Sequence, residues 1–241
     1  MMNNTGETIV KKWFNDYVNT MHQNPKNYNL FPIFVLNDIS IPFTNTNNNY
    51  FSVQFDHILL SQKGIISYET KCWSGTTHIC TLEDAKKSFL PLDSFPRYPK
   101  NASNGIIIFN IQEDTHATSK DNYSFHVSSY SKKDKNIIYK LVQNNQQLAK
   151  YLHMDKFFNR FIFINSPDFN KNVVLSENAR NSPHLKTYSK ILLNYNDFAN
   201  DLDEFFNEPD RFSSTDCYNL YKSLDIYSDH FKNWVWDPSQ K

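Results

Sequence analysis

The sequence predicts an α/β protein, a mixed central sheet flanked by helices, and three observations lead there. Helical spacing opens the chain and returns after residue 137, alternating or continuous apolar runs lie between, and the resulting order of helix, strand, hairpin, helix, strand and helices is that of an α/β protein. With 241 residues and 39% hydrophobic side chains, the chain is long enough to bury a real core.

Residues Glu7 to Met21 place Ile9, Val10, Trp13, Phe14, Tyr17 and Val18 at helical spacing, with Thr5 as N-cap and Glu7 in the first turn. After a turn-rich stretch, Phe31 to Pro42 reads as a strand and Thr44 to Asn49 as a loop. Phe51, Val53, Phe55, His57 and Leu59 alternate with their neighbours, Ser61 to Gly64 makes a turn, and Ile65 to Cys72 resumes as strand. Thr76 to Tyr130 shows no clear period except strands at Gly105 to Phe109 and Tyr123 to Tyr130, and reads as an excursion from the core. Ile137 to Leu152 is a helix, Phe161 to Asn165 and Val173 to Leu175 are short strands, and Leu192 to Phe206 is a helix. A last helix is expected over Ser214 to Trp234, its aromatic side docked on the core.

Composition removes several functional classes. The four glycines, Gly6, Gly64, Gly75 and Gly105, match no P-loop, dinucleotide-binding turn or nucleophile elbow. Three cysteines without a CxxC pair argue against a disulfide framework and a zinc ribbon, and fit a reducing cytoplasm. No signal-peptide core and no apolar run of spanning length is present, so a soluble cytoplasmic protein with no membrane partner is expected. The 25 basic and 25 acidic side chains balance, which denies a whole-molecule pull on nucleic acid but allows a local basic face.

The hairpin carries the chemistry. A two-residue turn at Gln62 and Lys63 makes paired positions sum to 125, so Asp56 faces Glu69 and Gln54 faces Lys71 on one sheet face. A bulge at Gly64 would slip that register by one. Two carboxylates so close repel unless a cation joins them, and Mg²⁺ takes carboxylate oxygens readily. The Thr70 carbonyl is a natural further ligand, and Lys71 a group to orient water. Taken alone this spacing is common, and a solvated cross-strand salt-bridge cluster accounts for it as well.

The segments Ile33 to Pro42, Phe55-Asp56-His57-Ile58-Leu59-Leu60-Ser61 and Gly64 to Gly75, with Glu69-Thr70-Lys71-Cys72-Trp73-Ser74-Gly75 at its end, together resemble the nuclease-related domain (NERD) family. So do Thr5-Gly6-Glu7 and the helix that follows them. The resemblance implies a restriction-endonuclease-like, PD-(D/E)XK fold over 1–175, with an insertion near 76–136 and a C-terminal helical extension over 176–241. It implies that Asp56 and Glu69 bind Mg²⁺ or Mn²⁺, that Lys71 is catalytic, and that Glu7 matches an acidic position able to reach the metal. Phe55 stands where the family often has proline. Lys140 stands where its downstream helix usually has glutamine, with Gln143 and Asn144 nearby. The activity so implied is metal-dependent hydrolysis of DNA, with RNA not separated from DNA. The alternative is a catalytically silent nuclease-fold module that binds nucleic acid or protein. Oligomeric state is not indicated.

Other polar residues read more plainly. His57 points away from Asp56 and is a packed core histidine. His78, Cys80, Cys72 and Glu83 lack the second close pair of a zinc site, and Trp73 is packing before it is a base-stacking platform.

Overall fold

A computed structural model describes residues 5–44, 50–87, 106–113, 123–129, 137–154, 157–186, 189–228 and 233–237. Residues 45–49 of the expected loop Thr44 to Asn49, Gly105 and Tyr130 lie outside them. The chain divides into two compact units, one formed by 1–70, 143–160 and 194–241, the other by 71–142 and 161–193.

The first unit begins with helix α1 (Thr5–His22) and strands β1 (Ile33–Thr44), β2 (Tyr50–Ser61) and β3 (Gly64–Lys71). Unbroken apolar faces and β-branched residues make these strands. β1 pairs β2 antiparallel from Ile33↔Ser61 to Thr44↔Tyr50, and β2 pairs β3 antiparallel from Ser61↔Gly64 to His57↔Tyr68. The turn therefore is the two-residue Gln62–Lys63 loop, and Gly64, at φ +142°, does not slip the register. The first residues of β7 (Phe158–Phe163) lie beside β3.

Helices cover both faces of these strands. On the His57–Tyr68 face, α1 and α6 (Tyr195–Phe206) meet, and Phe14 is the hub, its ring edge-on to His57, Tyr68 and Phe198 at 5.8, 5.0 and 4.9 Å between centroids. All four side chains are fully buried. On the opposite face, α3 (Ile137–Tyr151) sends Asn145 to Ser67, and α7 (Ser214–Asp225) lays Tyr218 and Tyr221 on Phe34. Ser213 and Asp216 form a capping box that starts α7.

The last expected helix is shorter than its sequence suggests. α7 ends at Asp225, and Trp234 to Trp236 form strand β10, antiparallel to Ile33–Val35. The open edge of β1 offers ladder hydrogen bonds, and Trp-Val-Trp alternates so that both indoles share a side, 5.6 Å apart. The C-terminal segment is thus partly strand.

The second unit contains β4 (Gly75–Thr81), α2 (Leu82–Lys87), β5 (Ile106–Glu113), β6 (Tyr123–Ser129), β8 (Lys171–Leu175), α4 (Glu177–Arg180), α5 (Pro183–Lys186) and β9 (Ser189–Leu192). Four of the strands form a sheet ordered β6-β5-β4-β8, with β4 parallel to β8 and the other pairs antiparallel. The last residues of β7 neighbour β9. Neither β4 nor α2 stands out in the sequence, because Gly-Thr-Thr-His-Ile-Cys-Thr has a weak apolar rhythm and six residues are too few to display a 3.6 period. Gly75 has φ +74°, and a Cβ there would lie 2.1 Å from the Ile111 carbonyl oxygen, so only glycine fits. No helix among the described residues is long and apolar enough to cross a membrane.

Because Phe14 joins α1, the sheet and α6, Phe14→Ala is expected to destabilise the protein by about 3–5 kcal/mol, measured as a lower midpoint in urea unfolding.

Candidate functional site

The β2–β3 ladder stops at His57↔Tyr68, and the next position brings Asp56 level with Glu69. There the backbone ladder gives way to a side chain: the Thr70 N–H donates to Asp56 Oδ2 at 2.6 Å. A carboxylate accepting an amide proton at this distance is a charge-assisted bond, shorter and stronger than a neutral one. It ties Asp56 to the strand that carries Glu69, Thr70 and Lys71. Asp56, Glu69 and Lys71 are partly exposed, whereas Thr70 is buried and its hydroxyl has no partner among the described residues. Strand alternation puts the Glu69 and Lys71 side chains on one face and Thr70 on the other.

Helix α3 lies along the same face as Asp56. Asn144 Nδ2 donates to the Gln54 carbonyl at 3.1 Å, pinning the helix to β2 two residues from Asp56. One residue on, Asn145 Nδ2 donates to Ser67 Oγ at 2.5 Å and also to Asn159 Oδ1. Gln143 is half-buried in the same turn, Lys140 is exposed one turn earlier, and the Gln54 side chain is exposed. Glu7 stands in the first turn of α1. Among the described residues no three His, Cys, Asp or Glu side chains gather as a metal-ion set, and the zinc candidates His78, Cys80, Cys72 and Glu83 form none.

Asp38 explains part of that. The β1–β2 register, Asn37↔His57 and Ile39↔Phe55, sets Asp38 level with Asp56. Yet Asp38 has φ +53°, a left-handed backbone, and its carboxylate lies 3.5 Å from Lys11 on α1. Aspartate tolerates this conformation better than most residues. The sequence reading missed this ion pair; its only signal was an Asn-Asp pair inside an apolar strand.

His57 is the core histidine that alternation predicted. It is fully buried, with Nδ1 2.6 Å from Asn37 Oδ1 and Nε2 unpartnered among the described residues. Burial, and next the nearby Lys11, push its pKa down to about 3. It is neutral at physiological pH and plays no part in the carboxylate pair.

An antiparallel hairpin bearing an aspartate on one strand and a Glu-x-Lys on the other, with a helix pinned alongside, is the arrangement on which the sequence resemblance turns. Residues 3–95 match the nuclease-related domain family. No curated protein and no solved structure matches the chain. The nuclease-related match covers α1, the three antiparallel strands, β4 and α2, and so contains Glu7, Gln54, Asp56, Glu69, Thr70 and Lys71. Lys140, Gln143 and Asn144 fall beyond it.

The folded pKa of His57 lies below the unfolded value near 6.5, so the unfolded chain binds the extra proton. Its contribution to stability is complete above pH 6.5 and is lost as pH falls from there towards 3. By pH 5 the loss is about 2 kcal/mol. Urea unfolding at pH 7, 6 and 5 should show this slope in the wild type and a slope smaller by one proton in His57→Gln.

Proposed function

We propose that this protein is a metal-dependent phosphodiesterase that hydrolyses DNA, with the site at the open end of the β2–β3 hairpin. The observation that carries the reading is the bond from the Thr70 N–H to Asp56, which couples one acid to the Glu69-Thr70-Lys71 segment inside the stretch matching the nuclease-related domain.

The donor set suits a hard divalent ion. Asp56 and Glu69 offer carboxylate oxygens and Thr70 a carbonyl, which are the ligand types Mg²⁺ and Mn²⁺ take while keeping waters. The Thr70 amide holds the Asp56 carboxylate in one orientation, which lowers the entropy lost when it binds. Glu7 stands on α1, whose Phe14 packs on the opposite face of the sheet, and no set of three acids gathers among the described residues, so Glu7 is left out of the ligand set. When bound, the ion supplies positive charge for the phosphate oxygens and lowers the pKa of water. Lys71 then orients the attacking water and offsets the charge gathering on the phosphate.

Gln54 beside Asp56, and Asn144, Gln143 and Lys140 along α3, are suited to hydrogen-bond the sugar and phosphate of the strand being cut. These contacts read backbone, and the sequence carries no helix-turn-helix or zinc-finger motif, so cleavage is expected to be weakly sequence-dependent. With a formal charge of zero, the protein should hold DNA modestly and lose it as salt rises.

A second reading is a silent nuclease-fold module that binds nucleic acid or a protein partner. The absence of a three-residue metal-ligand set among the described residues favours it.

The two are separated by incubating the protein with supercoiled plasmid, linear duplex, single-stranded DNA and RNA, in Mg²⁺, Mn²⁺ or EDTA. Cleavage is expected with either metal and not with EDTA, and is expected to fall by roughly 100-fold or more in Glu69→Ala and Lys71→Ala. Equal cleavage by the variants, or none with any metal, would overturn the phosphodiesterase. A gel shift of the same substrates would then support the binding module.

A further inference from the structure

In the second unit, His78 and Cys80 alternate onto one face of β4, and ladder pairing places Phe109 of β5 and Val174 of β8 beside His78. Helix α2 packs Ala85 and Leu82 over Cys80, Ile107 and Phe109. That helix has only six residues. Next to it is a cavity of about 300 Å³ lined by His78, Cys80, Asp84, Phe109, Ile111 and Val174 among others.

We propose that this cavity binds a small, uncharged aromatic molecule carrying one hydrogen-bonding group. Its volume lies at the lower end of small-molecule sites, and its walls are mostly apolar with few polar groups, as such sites are. Phe109 offers a ring face or edge for stacking. His78 has no hydrogen-bond or ionic partner among the described residues. Burial lowers its pKa, so at neutral pH it presents one N–H and one lone pair. Burial pushes the Cys80 thiol up to about 12, which keeps it protonated, an apolar wall rather than a nucleophile.

Asp84 decides the charge of the ligand. Burial opposes its ionisation, but donors from Ser176, Thr81 and Asn178 outweigh that and hold it down to about 2. The bonds run from Ser176 Oγ at 2.6 Å, the Thr81 N–H at 3.1 Å, Thr81 Oγ1 at 2.9 Å and Asn178 Nδ2 at 2.6 Å. A fixed negative charge lining the cavity repels phosphates and carboxylates, while neutral rings pay no such penalty. Phosphates of a nucleic acid are therefore excluded, and the cavity is independent of the phosphodiesterase reading.

The test uses neutral probes and a matched anion. Indole, phenol and benzimidazole are titrated into the 241-residue protein by saturation-transfer NMR, beside indole-3-carboxylate. At least one neutral probe is expected to saturate with a Kd of about 1 mM or below. The anion is expected to bind at least about tenfold more weakly. Val174 is 44% exposed on an edge strand, so Val174→Trp leaves the core intact and fills the cavity. It should weaken the neutral probe by about tenfold or more, and His78→Phe should do so by about tenfold through loss of one hydrogen bond. Circular dichroism confirms that both variants are folded, and if one is not, the other decides. No saturable neutral probe, equal binding of the anion, or undiminished binding by the folded variants would overturn the proposal.

Discussion

The two-residue turn at Gln62–Lys63 is the constraint on which the first unit depends. Side chains along a strand alternate with period two, so a slip of one residue would exchange every inward side chain of β2 and β3 for an outward one. With the turn as it stands, His57, Tyr68 and Phe55 face α1 and α6, and Phe14 has rings to pack against. The same register leaves Asp56 and Glu69 level on the other face, where α3 is held by Asn144 and Asn145. Core and polar face are two consequences of one turn.

Electrostatics divides the charges of this unit between those two faces. Asp38 would stand level with Asp56, but its left-handed backbone takes its carboxylate to Lys11. Asp56 is steadied by an amide proton, which costs no countercharge. Among the described residues the most buried charges are Arg160 and Asp201, whose Nε and Oδ2 lie 2.5 Å apart; such a pair balances its own desolvation more than it adds stability.

The second unit organises itself around a carboxylate as well. Asp84 of α2 accepts from Thr81 at the end of β4 and from Ser176 and Asn178 at the start of α4, so one side chain joins three short elements. Elements of four to seven residues carry little stability of their own. A multiply hydrogen-bonded anion compensates for that.

Local pattern alone determined a good part of this protein. The opening helix, the strand Phe31 to Pro42, the hairpin with its sum of 125, the core position of His57 and the match of residues 3–95 to the nuclease-related domain were legible, because each depends on spacing within one segment or across one tight turn. Tertiary structure decided the rest. Trp234 to Trp236 became strand because β1 has an open edge, which no window of sequence contains. β4 and α2 were too short or too mixed to show a period. The Thr70 amide on Asp56, the turned backbone of Asp38 and the place of His78 beside a cavity, without a partner among the described residues, are matters of which groups meet once the chain has folded. Hydrogen-bond and charge satisfaction is settled among residues far apart in sequence, so it is visible only when they have been brought together.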